Sequence, residues 1–370
     1  MKMQLEKLKL VNFKNYESLT LDFVVGLNYF VGLNGMGKTN LLDAIYYLCM
    51  SKSNFIASDR NIVRHQESFF RVEGHFIRKS KIEKVVAKVI PGKQKELSRN
   101  DVPYLKLIDH IGRFPVVIIV PDDTSLVNEG SEVRRRFVDN TLCQLDQSYL
   151  TQLMQYNKIL KQRNAALKQF AQTRQFNTSL ILSYNEQLQA PAKYIHERRT
   201  AFAEMFSPIF NRYYGMIAKD REKVTCTYQS KLTETDFKDL LEESAEKDRI
   251  LQRTTTGIHK DDLRFRINDF ALKQFASQGQ MKSFVLALKL AQYELMQKQK
   301  NVQPILLLDD IFDKLDHLRV RALMALLADH DFGQVFITDT DENRLEEIVA
   351  QFDIACRKFY IEEGAVKAIQ

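Results

Sequence analysis

Two short stretches of this chain, 270 residues apart, hold the residue types that phosphate chemistry needs. Residues 32–39 read Gly-Leu-Asn-Gly-Met-Gly-Lys-Thr, which meets the spacing Gly-x4-Gly-Lys-Thr. A loop that wraps a triphosphate must bring its backbone N–H groups up to phosphate oxygens, and glycine permits both the close approach and positive φ angles. The pattern predicts nucleotide contacts from Gly32, Leu33, Asn34, Gly35, Met36, Gly37, Lys38, Thr39 and Asn40. Lys38 would bridge the β- and γ-phosphates, Thr39 would ligate Mg²⁺, and the following helix N-terminus favours an anion. The bland alternative is a glycine-rich turn with no ligand, which the strand before and the helix after argue against.

The second stretch, Pro304-Ile305-Leu306-Leu307-Leu308-Asp309-Asp310, is an apolar strand ending in two carboxylates. Asp309 is expected to hold the Mg²⁺ shell, and Asp310 to polarise an attacking water. In isolation such acids equally well cap the next turn; paired with the upstream loop, the catalytic reading of Asp310 and Lys38 prevails. Between these stretches lies Ser277-Gln278-Gly279-Gln280, ahead of a helix with apolar residues at Met281, Phe284, Val285, Leu288, Ala291 and Leu295. One reading is a capping box, with Ser277 as cap and Gln280 reaching back. The other is the signature loop of ABC-type ATPases, which contacts a γ-phosphate held by a second subunit. Both can hold at one helix N-terminus.

The elements that must position these residues are visible as periodicities. Leu5, Leu8, Leu10 and Phe13 recur every second or third residue, Leu19 to Phe23 alternates, and Leu27 to Val31 is a short apolar run, so strands precede the glycine loop. From Thr39 to Cys49 the apolar spacing is helical. Residues 69–120 read as an antiparallel β subdomain with a turn at Pro91-Gly92. From about Glu132 to Ile217 glycine and proline are scarce, and steps of three and four predict two or more long helices packed as an antiparallel pair. Val335-Phe336-Ile337 reads as a core strand, and Phe359 to Glu362 as a closing edge strand.

Composition bounds the rest. The chain has 370 residues, 27% charged and 45% hydrophobic, enough for two or three domains. Its longest apolar run, Val116 to Val120, is far short of a membrane span, and Met1 to Phe13 lacks the apolar block of a signal peptide; a cytoplasmic protein without a membrane partner is expected. Cys49, Cys143, Cys226 and Cys356 lie far apart, as reduced thiols rather than a zinc or disulfide framework. The net charge of +7 points toward a polyanion. A basic stretch over residues 71–99 supplies the DNA-contact candidates Arg78, Lys79, Lys81 and Lys84, with a solvated sheet face as the alternative. Arg134 to Arg136 reads as a helix surface or dimer contact, His259 as structural or near phosphate, and Lys14 and Tyr16 as neighbours of the adenine.

These motifs resemble the RecF family of bacterial recombination and replication-repair ATPases, related to SMC and Rad50 heads. The resemblance runs nearly end to end. It includes Asn12-Phe13-Lys14-Asn15-Tyr16, the glycine loop followed by Asn40 to Ile45, Arg134 to Asp139, Gly257 to Asp262, Ser277 to Gln280, and Leu307 to Asp310 with Asp313-Lys314-Leu315-Asp316 behind it. The family usually has Arg where Lys14 and Lys282 stand, Glu where Asp43 stands, and Gly-Pro-His-Arg at residues 257–260. Thr338-Asp339-Thr340 replaces the switch histidine of transporter ATPases. The resemblance implies an α/β P-loop head of ABC/SMC type with an antiparallel β subdomain and an inserted α-helical arm. The expected division is 1–130 head, 131–248 arm and 249–370 head.

The resemblance further implies an ATP- and Mg²⁺-dependent homodimer and a weak, DNA-stimulated ATPase acting as a switch. It also implies binding at single-strand/double-strand junctions or gaps and, with RecO and RecR, loading of RecA. A nuclease of the overcoming-lysogenization-defect type shares such a head but needs an acid-rich domain after the acidic strand. Only 54 residues follow Asp316. An ATP-binding scaffold that does not hydrolyse remains open.

Overall fold

The computed structural model describes residues 3–218, 222–312, 317–329, 332–341 and 355–369. The chain divides into two compact units: residues 1–124, 213–219 and 278–370 form one, and residues 125–212 and 220–277 the other.

The first unit is built on two six-stranded sheets with one helix buried in their common core. The antiparallel sheet runs β2-β1-β4-β5-β6-β7, with β1 Met3–Phe13, β2 Tyr16–Asp22, β4 Phe70–Arg78, β5 Lys81–Ile90, β6 Gln94–Arg99 and β7 Val102–Pro103. A register shift between Leu5 and Lys7 of β1 explains why its apolar residues step by threes before settling into alternation. The other sheet runs β15-β14-β3-β13-β12-β8, with β3 Leu27–Val31, β8 Val116–Ile119, β12 Ile305–Leu308, β13 Val335–Asp339, β14 Cys356–Glu362 and β15 Ala365–Ile369. Its pairings are parallel except for the antiparallel β14–β15 hairpin. Strands covered on both faces read as unbroken apolar runs, as Ile305 to Leu308 and Val116 to Ile119 do.

Two expectations change here. Residues 116–119 leave the antiparallel subdomain and pair with β12. The closing edge is β15, with β14 hydrogen-bonded inside it to β3.

Helix α1, Lys38–Met50, buries Leu41, Ile45, Leu48 and most of its other side chains. They share one core with Leu8 and Val85 of the antiparallel sheet and with Phe30, Leu307 and Phe336 of the parallel sheet. Each such side chain contributes roughly 1.5–3 kcal/mol of burial free energy. Helix α9, Gln278–Lys300, and helix α10, His317–Asp329, complete the unit. Asp313 to Asp316 lie outside the described residues.

The second unit carries α2 Ser125–Asn128, α3 Ser131–Leu145, α4 Gln147–Thr173 and most of α5 Thr178–Ala218. Helices α6 Phe237–Glu243, α7 Ala245–Leu251 and α8 Leu272–Phe275 follow, with the three-stranded sheet β11-β10-β9: β9 Val224–Gln229, β10 Asp262–Ile267 and β11 Phe270–Ala271. Within this unit α4 and α5 run antiparallel. Asp146 beside Tyr149 accepts from Tyr194, Arg163 donates to Asn185, and Ala166 and Leu167 pack on Ile181. At 27 residues α4 is about 40 Å long.

The unit's far boundary is Ser277 rather than residue 248. The reason is tertiary: β10 pairs with β9, and Arg134 of α3 makes a two-pronged contact with Asp262 at 2.7 and 3.0 Å. Cys49, Cys143 and Cys226 are buried and Cys356 is exposed. Among the described residues no helix is long and apolar enough to cross a membrane.

Candidate nucleotide site

The glycine loop leaves β3 and enters α1, as its flanking periodicities require. Gly37 caps the helix with φ 114°, and a Cβ there would sit 2.4 Å from Asn15 Nδ2 and 2.9 Å from the Tyr16 hydroxyl. Gly32, at φ 154°, is pressed against β14, where an added Cβ would meet the Ile361 carbonyl oxygen at 2.3 Å. Only glycine satisfies both conditions. Leu33, Asn34 and Gly35 face solvent, while Lys38 is buried.

The turn between β1 and β2 holds the loop from behind. Tyr16 Oη donates to the Gly37 carbonyl at 3.1 Å, Asn15 Nδ2 donates to the Met36 carbonyl at 3.1 Å, and Asn40 Nδ2 donates to Asn15 Oδ1 at 2.7 Å. Tyr16 is fully buried, so it shapes the loop instead of stacking on a base. Lys14 is likewise engaged elsewhere. Its ammonium lies 2.6 Å from Asp43 Oδ2, and Asp43 also accepts from the Ser53 hydroxyl and the Asn54 amide. Two of the departures from the family pattern, Lys14 for Arg and Asp43 for Glu, therefore meet in one buried ion pair.

Thr39 Oγ1 donates to Asp309 Oδ1 at 2.8 Å, which joins the two chemistry-bearing stretches across 270 residues. Asp309 is set there by the sheet: its amide donates to the Ile119 carbonyl, extending the β12–β8 ladder. Thr338 Oγ1 donates to the same carboxylate oxygen at 2.8 Å and accepts from the Asp310 amide at 2.9 Å. Burial raises the Asp309 carboxyl above its ordinary range, against the lowering effect of the two threonine hydroxyls. Asp310 sits at φ 43°, and its Oδ1 is buried with no hydrogen-bond partner. An orphaned carboxylate oxygen beside a Thr–Asp pair fits a site that takes a water and a hard cation. Lys38 Nζ donates to the carbonyls of Gly32 and Leu33, at 2.7 and 3.0 Å.

Thr338 was legible only as a residue where a histidine is missing; its bonds to both acids arise from the pairing of β12 with β13. Ser277 and Gln278 are exposed, and Gly279 and Gln280 half-buried. Ser277 ends the second unit and Gln278 begins α9 in the first. Behind Gly279 lies Arg319 of α10, which donates from Nε to Ser283 Oγ at 2.7 Å, while Ser283 donates to the Gly279 carbonyl at 3.1 Å. Lys289 of α9 reaches Asp123 at 2.6 Å and the Ile118 carbonyl at 2.9 Å, fastening α9 to the end of β8.

The basic candidates separate. Arg78, Lys79 and Lys81 line one cleft, whereas Lys84 pairs with Asp101 at 2.5 Å and lies outside it. Arg134 and Arg135 are spent within the second unit on Asp262 and the Asp261 carbonyl, and Arg136 pairs with Glu132. His259 accepts from Tyr156 Oη at Nδ1 and donates from Nε2 to the Thr254 carbonyl. Burial lowers it to about 4, so it is a neutral structural residue.

The family model described as RecF/RecN/SMC N terminal domain matches residues 4–361. The chain is 48% identical over 347 residues to the DNA replication and repair protein RecF of Flavobacterium johnsoniae, covering 94% of this chain and 97% of that one. It is 42% identical to the RecF of Cytophaga hutchinsonii, covering 99% and 97%. Among solved structures, the recombination mediator protein RecF-ATP of the RecFOR pathway is similar at TM-score 0.88 and 26% identity, over 99% of this chain and 97% of that one. An Smc head bound to the C-winged helix domain of ScpA matches at TM-score 0.59 and 15% identity, over 99% and 97%, and shares the fold.

Proposed function

This chain belongs to the RecF family of DNA replication and repair proteins, and on that premise we propose that it is an ATP-driven switch that closes as a homodimer on DNA. The observation that carries the proposal is the Thr39–Asp309 contact, which makes one site of the glycine loop and the acidic strand. ATP would lie along residues 32–40, with Lys38 leaving the loop carbonyls for the β- and γ-phosphates. Thr39 and Asp309 would hold Mg²⁺, which when bound screens the charge between those phosphates. Asp310 would accept a hydrogen bond from the attacking water at its unpartnered Oδ1. It is one methylene shorter than a glutamate, which suits slow turnover.

Ser277, Gln278, Gly279 and Gln280 of one subunit would meet the γ-phosphate held by the other, so that ATP joins the pair and hydrolysis releases it. Single-strand/double-strand junctions, and RecO and RecR in the loading of RecA, are the DNA target and partners the family supports. Arg78, Lys79, Lys81 and Lys84 are the candidate DNA contacts, with Lys84 weakened by its pairing with Asp101.

Sedimentation with ATP tests the switch. Lys38→Ala should stay monomeric, and Asp310→Asn should accumulate as dimer. A Lys38→Ala chain that dimerises as strongly as wild type sinks the model. Single-turnover hydrolysis with gapped and with blunt DNA separates a switch from a scaffold that only binds ATP.

A further inference from the structure

Two tight hairpin turns lie side by side in the antiparallel sheet of the first unit. Lys79 and Ser80 (φ 51° and 58°) join β4 to β5, and Asn100 and Asp101 (φ 51° and 64°) join β6 to β7. Both residues of each turn lie at positive φ, the signature of the type I′ hairpin connection. The second turn is tied to β5, four residues beyond the first: the Lys84 amide donates to Asn100 Oδ1 at 2.9 Å, and the Asn100 amide donates to the Lys84 carbonyl at 2.8 Å. Both turns border a cleft of about 480 Å³, within the range of about 300–1,000 Å³ typical of ligand sites.

Its lining is one-sided in charge. Arg78, Lys79, Lys81, Arg99 and Arg113 surround a single acid, Glu83. Glu83 is shared by Arg99 at 3.5 Å and Arg113 at 2.8 Å, so one carboxylate compensates two guanidiniums. Arg78 donates to the Arg113 carbonyl at 3.3 Å, yet its Nε is buried with no hydrogen-bond partner. A buried guanidinium N–H without an acceptor is a costly arrangement that an incoming oxygen would relieve. Lys79 and Lys81 are exposed at the rim and carry no ion pair among the described residues.

We propose that this cleft is a phosphate-binding site, in which Arg78, Arg99 and Arg113 form the floor and Lys79 and Lys81 the rim, and that it seats a phosphate group of nucleic acid. The site rests on the DNA reading given above and narrows it. It adds Arg99 and Arg113, which the linear sequence scatters 14 residues apart, and removes Lys84. Arginine is suited to the floor because its planar fork matches phosphate oxygens, and lysine to the rim as a mobile point charge. The phosphate belongs either to a continuous backbone or to a strand end, and a gap supplies both.

Fluorescence anisotropy of the full chain with ATP, over a salt series, decides the matter with three probes: a dumbbell duplex without ends, a gapped duplex ending in 5′-phosphate, and the same gap ending in 5′-hydroxyl. The rim double variant Lys79→Gln/Lys81→Gln is compared with Lys88→Gln/Lys93→Gln, which alters exposed lysines of the same sheet outside the cleft. The rim variant should bind about tenfold more weakly and lose roughly 2 from the slope of log affinity against log salt, with the control near wild type. A loss on all three probes assigns a backbone phosphate, and a loss confined to the 5′-phosphate probe assigns a strand end. An unchanged rim variant, or a control that loses as much, overturns the cleft. Wild-type chain that dimerises with ATP yet binds no probe overturns the DNA reading and the cleft with it.

Discussion

At the scale of single residues, two buried carboxylates control what the head can do. Asp309 is raised by burial, so its proton is held more tightly in the folded than in the unfolded chain. By linkage, stability is fullest below the ordinary carboxylate range and declines as pH rises through the raised pKa. Asp309→Asn keeps an oxygen to accept from Thr39 and Thr338 but no longer titrates. Without nucleotide, its melting temperature should exceed wild type at pH 8, and the difference should close toward pH 4. The same variant should lose at least tenfold in ATP-driven dimerisation. Calorimetry and sedimentation read the two arms, and a variant less stable than wild type at pH 8 contradicts the assignment. Asp43 is the other case: it is fully buried, with Lys14 as its cation. Lys14→Met should cost about 3–5 kcal/mol in urea denaturation, because it strands a buried charge. Adding Asp43→Asn should recover at least half of that. A single-variant cost below about 1 kcal/mol would mean that Ser53 and Asn54 alone satisfy the carboxylate.

At the scale of elements, α1 buries most of its side chains in the core shared by the two sheets, and its Leu48 packs against Gly74 of β4. A Cβ on Gly74 would lie 2.6 Å from Leu48 Cδ1 of α1 and 3.0 Å from Leu5 Cδ1 of β1. Gly74→Ala should therefore destabilise by about 1–3 kcal/mol through overpacking. Leu48→Ala in the same chain should cost less than it does alone, since the new methyl fills part of the space. Additive losses in thermal melts would show that the two sites do not share it. This scale also shows what the sequence could and could not disclose. The loop at residues 32–39 and the strand ending at Asp309 were readable because their chemistry is local: glycine, lysine and hydroxyl in order, and an apolar run stopped by acids. The membership of Val116 to Ile119 was not, because a short β-branched run looks the same in either sheet until β12 pairs with it. Nor was the boundary at Ser277 readable, since it is drawn by Arg134 reaching Asp262, 128 residues away. Thr338 and Lys289 escaped for the same reason: their partners are neighbours only after folding.

At the scale of the whole molecule, strand order determines when the site can exist. Strand β3, which launches the glycine loop, is bonded on one side to β13 and on the other to β14, and both lie in the last 36 residues. A chain cut after residue 312 should keep the sequence of the loop and the acidic strand yet bind no ATP analogue and expose β3 to protease. Retained nucleotide binding in that fragment would show that β12 and β8 suffice. For a chain emerging from the ribosome, the same order means that the loop and Asp309 leave the exit tunnel before the strands that brace β3. On the proposed switch, nucleotide capture would therefore await the last strands, and a chain aborted before them would not enter a dimer as a defective half.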